Sequence, residues 1–199
     1  MRGTKRTDRG QAYTLEGFVG AMVVLMAVLF ALQSVVITPT TGGPIDRTVQ
    51  AQFQQEANDA LVVAASDGDL SETVRYWNNS SEEFYGSDTD VETSYYTAEG
   101  FNETRLGAIL EKRFRERGQN YNVELHAPGM DDPVRLVYQG RESSTAFTAS
   151  YAVTLYDDQH LTAPGYEHQR LEDAEDSYPI PNEGSDHVYN VVEVRVIVW

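Results

Sequence analysis

Twenty consecutive residues, from Phe18 to Ile37, carry no charge, and only Gln33 and Ser34 interrupt their apolarity. As a helix at about 1.5 Å per residue, this run reaches roughly 30 Å, the thickness of a bilayer's hydrocarbon core. A core helix of a water-soluble domain keeps polar residues on one face, and none recur at helical spacing between Phe18 and Leu32. The sequence therefore predicts a transmembrane helix over residues 11–37, with the lipid bilayer as its partner.

The flanks give an orientation. Arg2, Lys5, Arg6 and Arg9 precede the run, whereas Ile37 to Pro44 follow it without a charge. Basic residues favour the cytoplasmic side, so the expected topology is a single pass in the cell membrane with the N-terminus cytoplasmic and the C-terminal domain extracellular. A cleaved secretory signal would have an apolar region of about 7 to 15 residues ending in a small-x-small site. Here the run is longer and ends Ser34-Val35-Val36-Ile37-Thr38, so the helix is expected to stay attached.

Of 31 acidic and 15 basic residues, Asp8, Glu16 and the four leader cations precede the end of the apolar run, which leaves 29 against 11 beyond Ile37 and a net charge of −18. Only Lys5 and Lys112 are lysines. An acidic, lysine-poor surface repels itself in dilute buffer and is screened at molar salt, where the Debye length falls to about 3 Å, so the composition suits a halophilic setting. Val, Leu, Tyr and Phe recur throughout this region, which argues against an acidic disordered tail. With no basic patch outside the predicted span, no nucleic acid partner is expected. The absence of cysteine excludes disulfides and thiolate chemistry.

Along the chain, residues 1–10 form a cationic leader and 38–44 a hinge, where two prolines and two glycines interrupt the helix. Residues 45–199 suffice for one acidic α+β domain. Ile45, Val49, Phe53, Ala57, Ala60, Leu61 and Ala64 recur at three and four, which predicts a helix from Ile45 to Ala65 that Gly68 stops. A short second helix opens at Asp69, with Leu70, Val74 and Trp77 on one side, and Asn78 to Ser81 break it. Ser87 to Thr97 reads as loop or weak strand. A third helix is predicted from Asn102, its N-cap, to Arg117, with Gly118 as stop and Leu106, Ile109, Leu110 and Phe114 as its apolar face.

After Gly118 the period changes to two. Strands are predicted at Tyr121–Leu125, Val134–Tyr138, Thr145–Tyr156 and Val188–Trp199, with a hairpin through Gln139-Gly140-Arg141-Glu142 and a long acidic loop from Asp157 to His187. The last strand is expected beside Thr145–Tyr156, its valine face covered by the third helix. The expected domain has about three helices packed on an antiparallel sheet of about four strands.

Arg9-Gly10-Gln11, a basic and a small residue directly before a long apolar helix, resembles the class III leader of archaeal type IV pilins and pilin-like proteins. Tyr13-Thr14-Leu15-Glu16 also resembles the entry to the bacterial pilin helix, and the acidic outer domain with its valine-rich final strand looks like those of haloarchaeal pilin-like membrane proteins. The resemblance implies cleavage between Gly10 and Gln11 by a prepilin peptidase, with the apolar helix retained to pack against pilin-like subunits. It also implies that Glu16 pairs with a neighbouring subunit's terminal amine, although Glu16 would be the sixth mature residue rather than the usual fifth. The function implied is a structural or accessory, minor pilin-like subunit of an archaeal type IV pilus-like assembly at the cell surface. The alternative is a solitary membrane-anchored extracellular binding domain.

Asn78, Asn79 and Asn102 begin Asn-x-Ser/Thr sequons and are candidate N-glycosylation acceptors, Asn102 with a competing role as a helix cap. The four histidines lack His-x-x-x-His spacing. Asp157, Asp158, His160, Glu167 and His168 share a loop, but in so acidic a chain they read as solvated charge rather than a metal site. No glycine-rich phosphate loop and no Gly-x-Ser-x-Gly elbow occurs, so neither enzyme activity nor a cofactor is expected.

Overall fold

The computed structural model describes residues 5–33, 44–88 and 94–199, and among them the side chains of 13–30, 50–88 and 94–199. The chain forms two compact units, Met1–Gly43 and Pro44–Trp199. In the first, α1 (Lys5–Gln33) is one continuous helix, so the end of the cationic leader is helical together with the apolar run. The far end of that run, residues 34–37, and the expected hinge at 38–43 lie outside the described residues.

In the second unit, α2 (Pro44–Ser66) begins at a proline expected to close the hinge. Proline suits the first helical position, where its missing N–H costs nothing and its φ is already helical. Ala57, Ala60, Leu61 and Ala64 of α2 are fully buried, as their spacing predicts, while the side chains of Ile45 and Val49 lie outside the described residues. At its end the chain turns through Gly68, whose φ of +86° permits a direct step into α3 (Asp69–Val74). Trp77, expected on that helix, is instead in β1 (Trp77–Asn78), which pairs antiparallel with β2 (Glu83–Phe84) around the Asn78–Ser81 break.

The third predicted helix is divided. Asn102 is not its N-cap. Thr97 caps a one-turn helix, α4 (Ala98–Phe101), of which Asn102 is the C-cap, and Thr104 caps α5 (Arg105–Arg113) by accepting from the Gly107 amide at 3.0 Å. Both residue types cap helices well, and the difference lies in where an unpaired first-turn amide is available. Leu106, Leu110 and Phe114 are buried and Ile109 is half-buried, after which a 3₁₀ turn (Arg115–Arg117) ends at Gly118.

Four strands form one antiparallel sheet: β3 (Tyr121–His126), β4 (Val134–Val137), β5 (Phe147–Tyr156) and β6 (Val188–Val198), in the order β4-β3-β6-β5. The predicted hairpin between β4 and β5 does not form, because these are the two outer strands. The hairpin joins β3 to β4, and β6 inserts between β3 and β5. Asn122, buried on β3, explains the diversion: its Oδ1 accepts from the Gln139 amide at 2.8 Å and its Nδ2 donates to the Gly140 carbonyl at 3.0 Å, tying the chain back to β3 just after β4. From there it leaves for the opposite edge.

The register places Tyr121, Val123 and Leu125 beside Val198, Val196 and Val194, which lie in turn beside Phe147, Ala149 and Tyr151. This apolar face is the covered one. Its cover differs from the expected one, since α2 rather than α5 lies against β5: Phe53 of α2 stacks on Phe147 with ring centroids 6.3 Å apart, while Phe114, just past α5, reaches the same ring at 6.4 Å. The opposite face is polar, with Glu124, Arg195 and Ser150 in one row and His126, Glu193 and Ala152 in the next. The Asp157–His187 segment forms no helix or strand of its own yet buries Leu161, Leu171, Tyr178 and Ile180. The Tyr178 hydroxyl donates to the Val74 carbonyl at 2.8 Å, and Thr162 Oγ1 donates to that of Glu72 at 2.6 Å, so the segment is strapped to α3. The domain is therefore α+β, with its helices on one face of an antiparallel sheet.

Candidate functional site

Between Tyr13 and Phe30, α1 is long and apolar enough to cross a bilayer, and none of that stretch is buried within the chain. Gly10 and Gln11 lie within the helix, upstream of this stretch. Glu16 is an exposed carboxylate in its first turns, one turn before Gly20 on the same stripe, since residues four apart share a helix face. Gly20, Ala21, Val24, Leu25 and Val28 line a shallow apolar depression, and a Cβ built on Gly17 or Gly20 would meet no atom within 4 Å. Small residues at this spacing permit close approach of a second helix. The side chain of Ala31, which extends the pattern in the sequence, lies outside the described residues.

The three sequons are not equivalent. Asn78 Oδ1 accepts from the Ser80 and Ser81 amides at 3.0 and 3.3 Å, which builds the β1–β2 turn, and Asn79 Oδ1 accepts from the Ser177 hydroxyl. Both side chains are half-buried and structurally engaged. Asn102 is exposed, although the hydroxyl of its sequon threonine, Thr104, already donates to the Phe101 carbonyl at 2.8 Å.

In the acidic segment, His160 and His168 are exposed, the Glu167 carboxylate accepts from the Gly165 amide, and Arg170 pairs with Glu172 and Asp173. Among the described residues no three His, Asp or Glu side chains converge as a metal site would require.

Two features escape the sequence. Asp69 is buried with its carboxylate 3.4 Å from Arg105, and with Glu72, Tyr76 and Glu103 it lines a pocket of about 170 Å³. Contacts between residues so far apart in sequence leave no periodic signal. A wider cleft of about 570 Å³ lies between the β1–β2 hairpin and β4, lined by Trp77, Phe84 and Val134 with Glu82, Asp132 and Arg135 at its polar parts. Trp77 Nε1 is buried without a partner, so it contributes a desolvation cost rather than a donor that a ligand in the cleft could reach. Ser94 and Glu83 also line this cleft, where the Ser94 hydroxyl donates to the Glu83 carboxylate at 3.4 Å.

No curated protein and no solved structure matches the chain. One family model, described as a family of unknown function, matches residues 9–198 and so takes in both the apolar helix and the outer domain. The chain belongs to that family, DUF7288.

Proposed function

We propose that this protein is a membrane-anchored, accessory subunit of a type IV pilus-like assembly on an archaeal cell surface. The observation that carries the reading is the bare apolar surface of α1 from Tyr13 to Phe30, which the chain's own fold leaves uncovered and which lipid or neighbouring apolar helices must cover. Supporting it are the leader cations on one side of that surface only and the sequence Arg9-Gly10-Gln11 before it. In this reading the N-terminus is cytoplasmic, the Pro44–Trp199 domain is outside, and α1 is an anchor before assembly and a packing stem after it. Glu16 then compensates the amine of a neighbouring subunit, because a carboxylate in an apolar span is costly unless paired or hydrated.

A prepilin peptidase cutting after Gly10 acts within a helical stretch, which must open locally. Glycine assists, lowering helix stability there by about 1 kcal/mol relative to alanine. Mass spectrometry of the protein from its native host is expected to show Gln11 as the first residue, and Gly10→Leu to block the cut. An intact leader on a monomeric protein would instead identify a solitary anchored binding domain.

A further inference from the structure

β5 is an outer strand of ten residues, and from Ser150 to Thr154 its backbone has no partner beyond β6 among the described residues. α2 reveals which groups face outward. Gln54 Nε2 donates to the Thr148 carbonyl at 3.4 Å, and Gln50 Nε2 to that of Thr145 at 3.2 Å, so the Thr148 carbonyl points away from β6. Backbone directions alternate along an antiparallel strand, hence Ser150, Ala152 and Thr154 present both N–H and C=O to that same open side. Glutamine side chains stand in for a neighbouring strand at the start of the edge, and among the described residues none does so farther along.

Exposed edges are ordinarily blunted by charge, proline, shortness or a bulge. Here the stretch from Ser143 to Tyr156 holds no Asp, Glu, Lys or Arg and no proline, and the one irregularity, between Leu155 and Tyr156, lies beyond the open part. The apolar layer also runs out uncovered at this edge: Tyr151 stands in the column of Val194 and Leu125, which are buried, yet is 37% exposed.

We infer that the β5 edge is an interface for a second copy of this chain, added antiparallel so that two four-stranded sheets become one. A second copy is the occupant that the edge itself matches. At molar salt the repulsion between two acidic copies is screened, and the open part of β5 adds no charge to it. A basic partner would be drawn to the acidic faces instead. The edge is also self-complementary about Ala152: two-fold pairing sets Ala152 opposite its own copy, Ser150 opposite Thr154, and Tyr151 opposite Val153, so that the exposed tyrosine gains a β-branched neighbour. The contact does not depend on what α1 does in a membrane.

The chain has no cysteine, so a single introduced thiol reports one position. The full chain in detergent at molar salt, treated with a short bismaleimide, is expected to give a covalent dimer with Ala152→Cys and to stay monomeric with Glu116→Cys, whose site is exposed on the 3₁₀ turn. Adding Thr154→Lys to Ala152→Cys should cut the dimer yield severalfold while the thermal melt stays cooperative, since a lysine on an edge opposes pairing. A monomeric Ala152→Cys protein, equal cross-linking through Glu116→Cys, or a dimer yield indifferent to Thr154→Lys would each overturn the inference.

Discussion

At the scale of single residues, Gly107 is held by sterics rather than by conformation. It lies in α5, where alanine would ordinarily improve helix stability by about 1 kcal/mol, but a Cβ there would stand 1.8 Å from the Phe101 carbonyl oxygen and 2.9 Å from the Asn102 amide. Backbone cannot yield as a flexible side chain can. Gly107→Ala is therefore expected to destabilise the outer domain by about 1 to 3 kcal/mol or more, as overpacking does, and a melt at or above the parent's temperature would refute this. The buried tyrosines make a second prediction. Burial pushes the phenols of Tyr96, Tyr121 and Tyr178 well above their ordinary range and that of Tyr189 up to about 12. A group whose folded pKa is raised gives stability that is complete below the unfolded value, about 10, and is lost as pH climbs toward the folded one. Each phenol should thus cost about 1.4 kcal/mol per pH unit above about pH 10. Denaturant melts between pH 9 and 12 should show the fall, and Tyr178→Phe should reduce its slope despite losing the bond to the Val74 carbonyl.

At the scale of elements, what the sequence revealed is what periodicity can carry. The spans of α2, β3 and β6 follow from spacings of three and four or of two, because each element buries one face and the apolar residues must track that face. Pairing is another matter. The Gln139–Glu142 stretch has the composition of a hairpin, but the amide of Asn122 captures it, and the sequence holds no local mark that β6, far downstream, will take the central place. The same limit governs the candidate sites. Gly10, Gln11 and Glu16 can be proposed from the sequence alone because their pattern is contiguous, whereas the Asp69–Arg105 pair and the engagement of Asn79 with Ser177 depend on contacts across the fold. The central position of β6 sharpens one expectation. Val192, Val194, Val196 and Val198 are buried, each worth about 1.5 to 3 kcal/mol, together comparable with a whole domain's margin of about 5 to 15 kcal/mol. Truncation before Val188 also strips hydrogen-bond partners from β3 and β5 at once. Such a chain should retain insertion of α1 into membranes and lose the cooperative melt of the outer domain, and a surviving melt would contradict the topology.

At the scale of the whole molecule, two physical demands meet in one chain. In the proposed anchored subunit the apolar stretch of α1 leaves water, and the domain from Pro44 onward stays in it while carrying far more carboxylates than cations. The eleven basic residues beyond Ile37 cannot neutralise twenty-nine acidic ones, and some of the ion pairs are exposed, such as Arg170 with Asp173, so local pairing recovers little of the repulsion. Screening is the remaining source of relief. The Debye length shortens from about 10 Å at 0.1 M salt to about 3 Å at 1 M, which confines each carboxylate's field to its immediate neighbours. Apolar burial also strengthens with salts excluded from protein surfaces, so a charge effect must be separated from a general one. Thermal melts in sodium chloride should rise steeply between about 0.1 M and 1 M and then flatten, because the repulsion is nearly gone once screening reaches about 3 Å. Replacing exposed acids such as Glu116, Glu142 and Asp186 by their amides should raise the melting temperature at low salt and leave it almost unchanged at 1 M. Equal gains at both salt concentrations, or melts flat across the range, would show that this acidic surface imposes no net electrostatic cost on the fold.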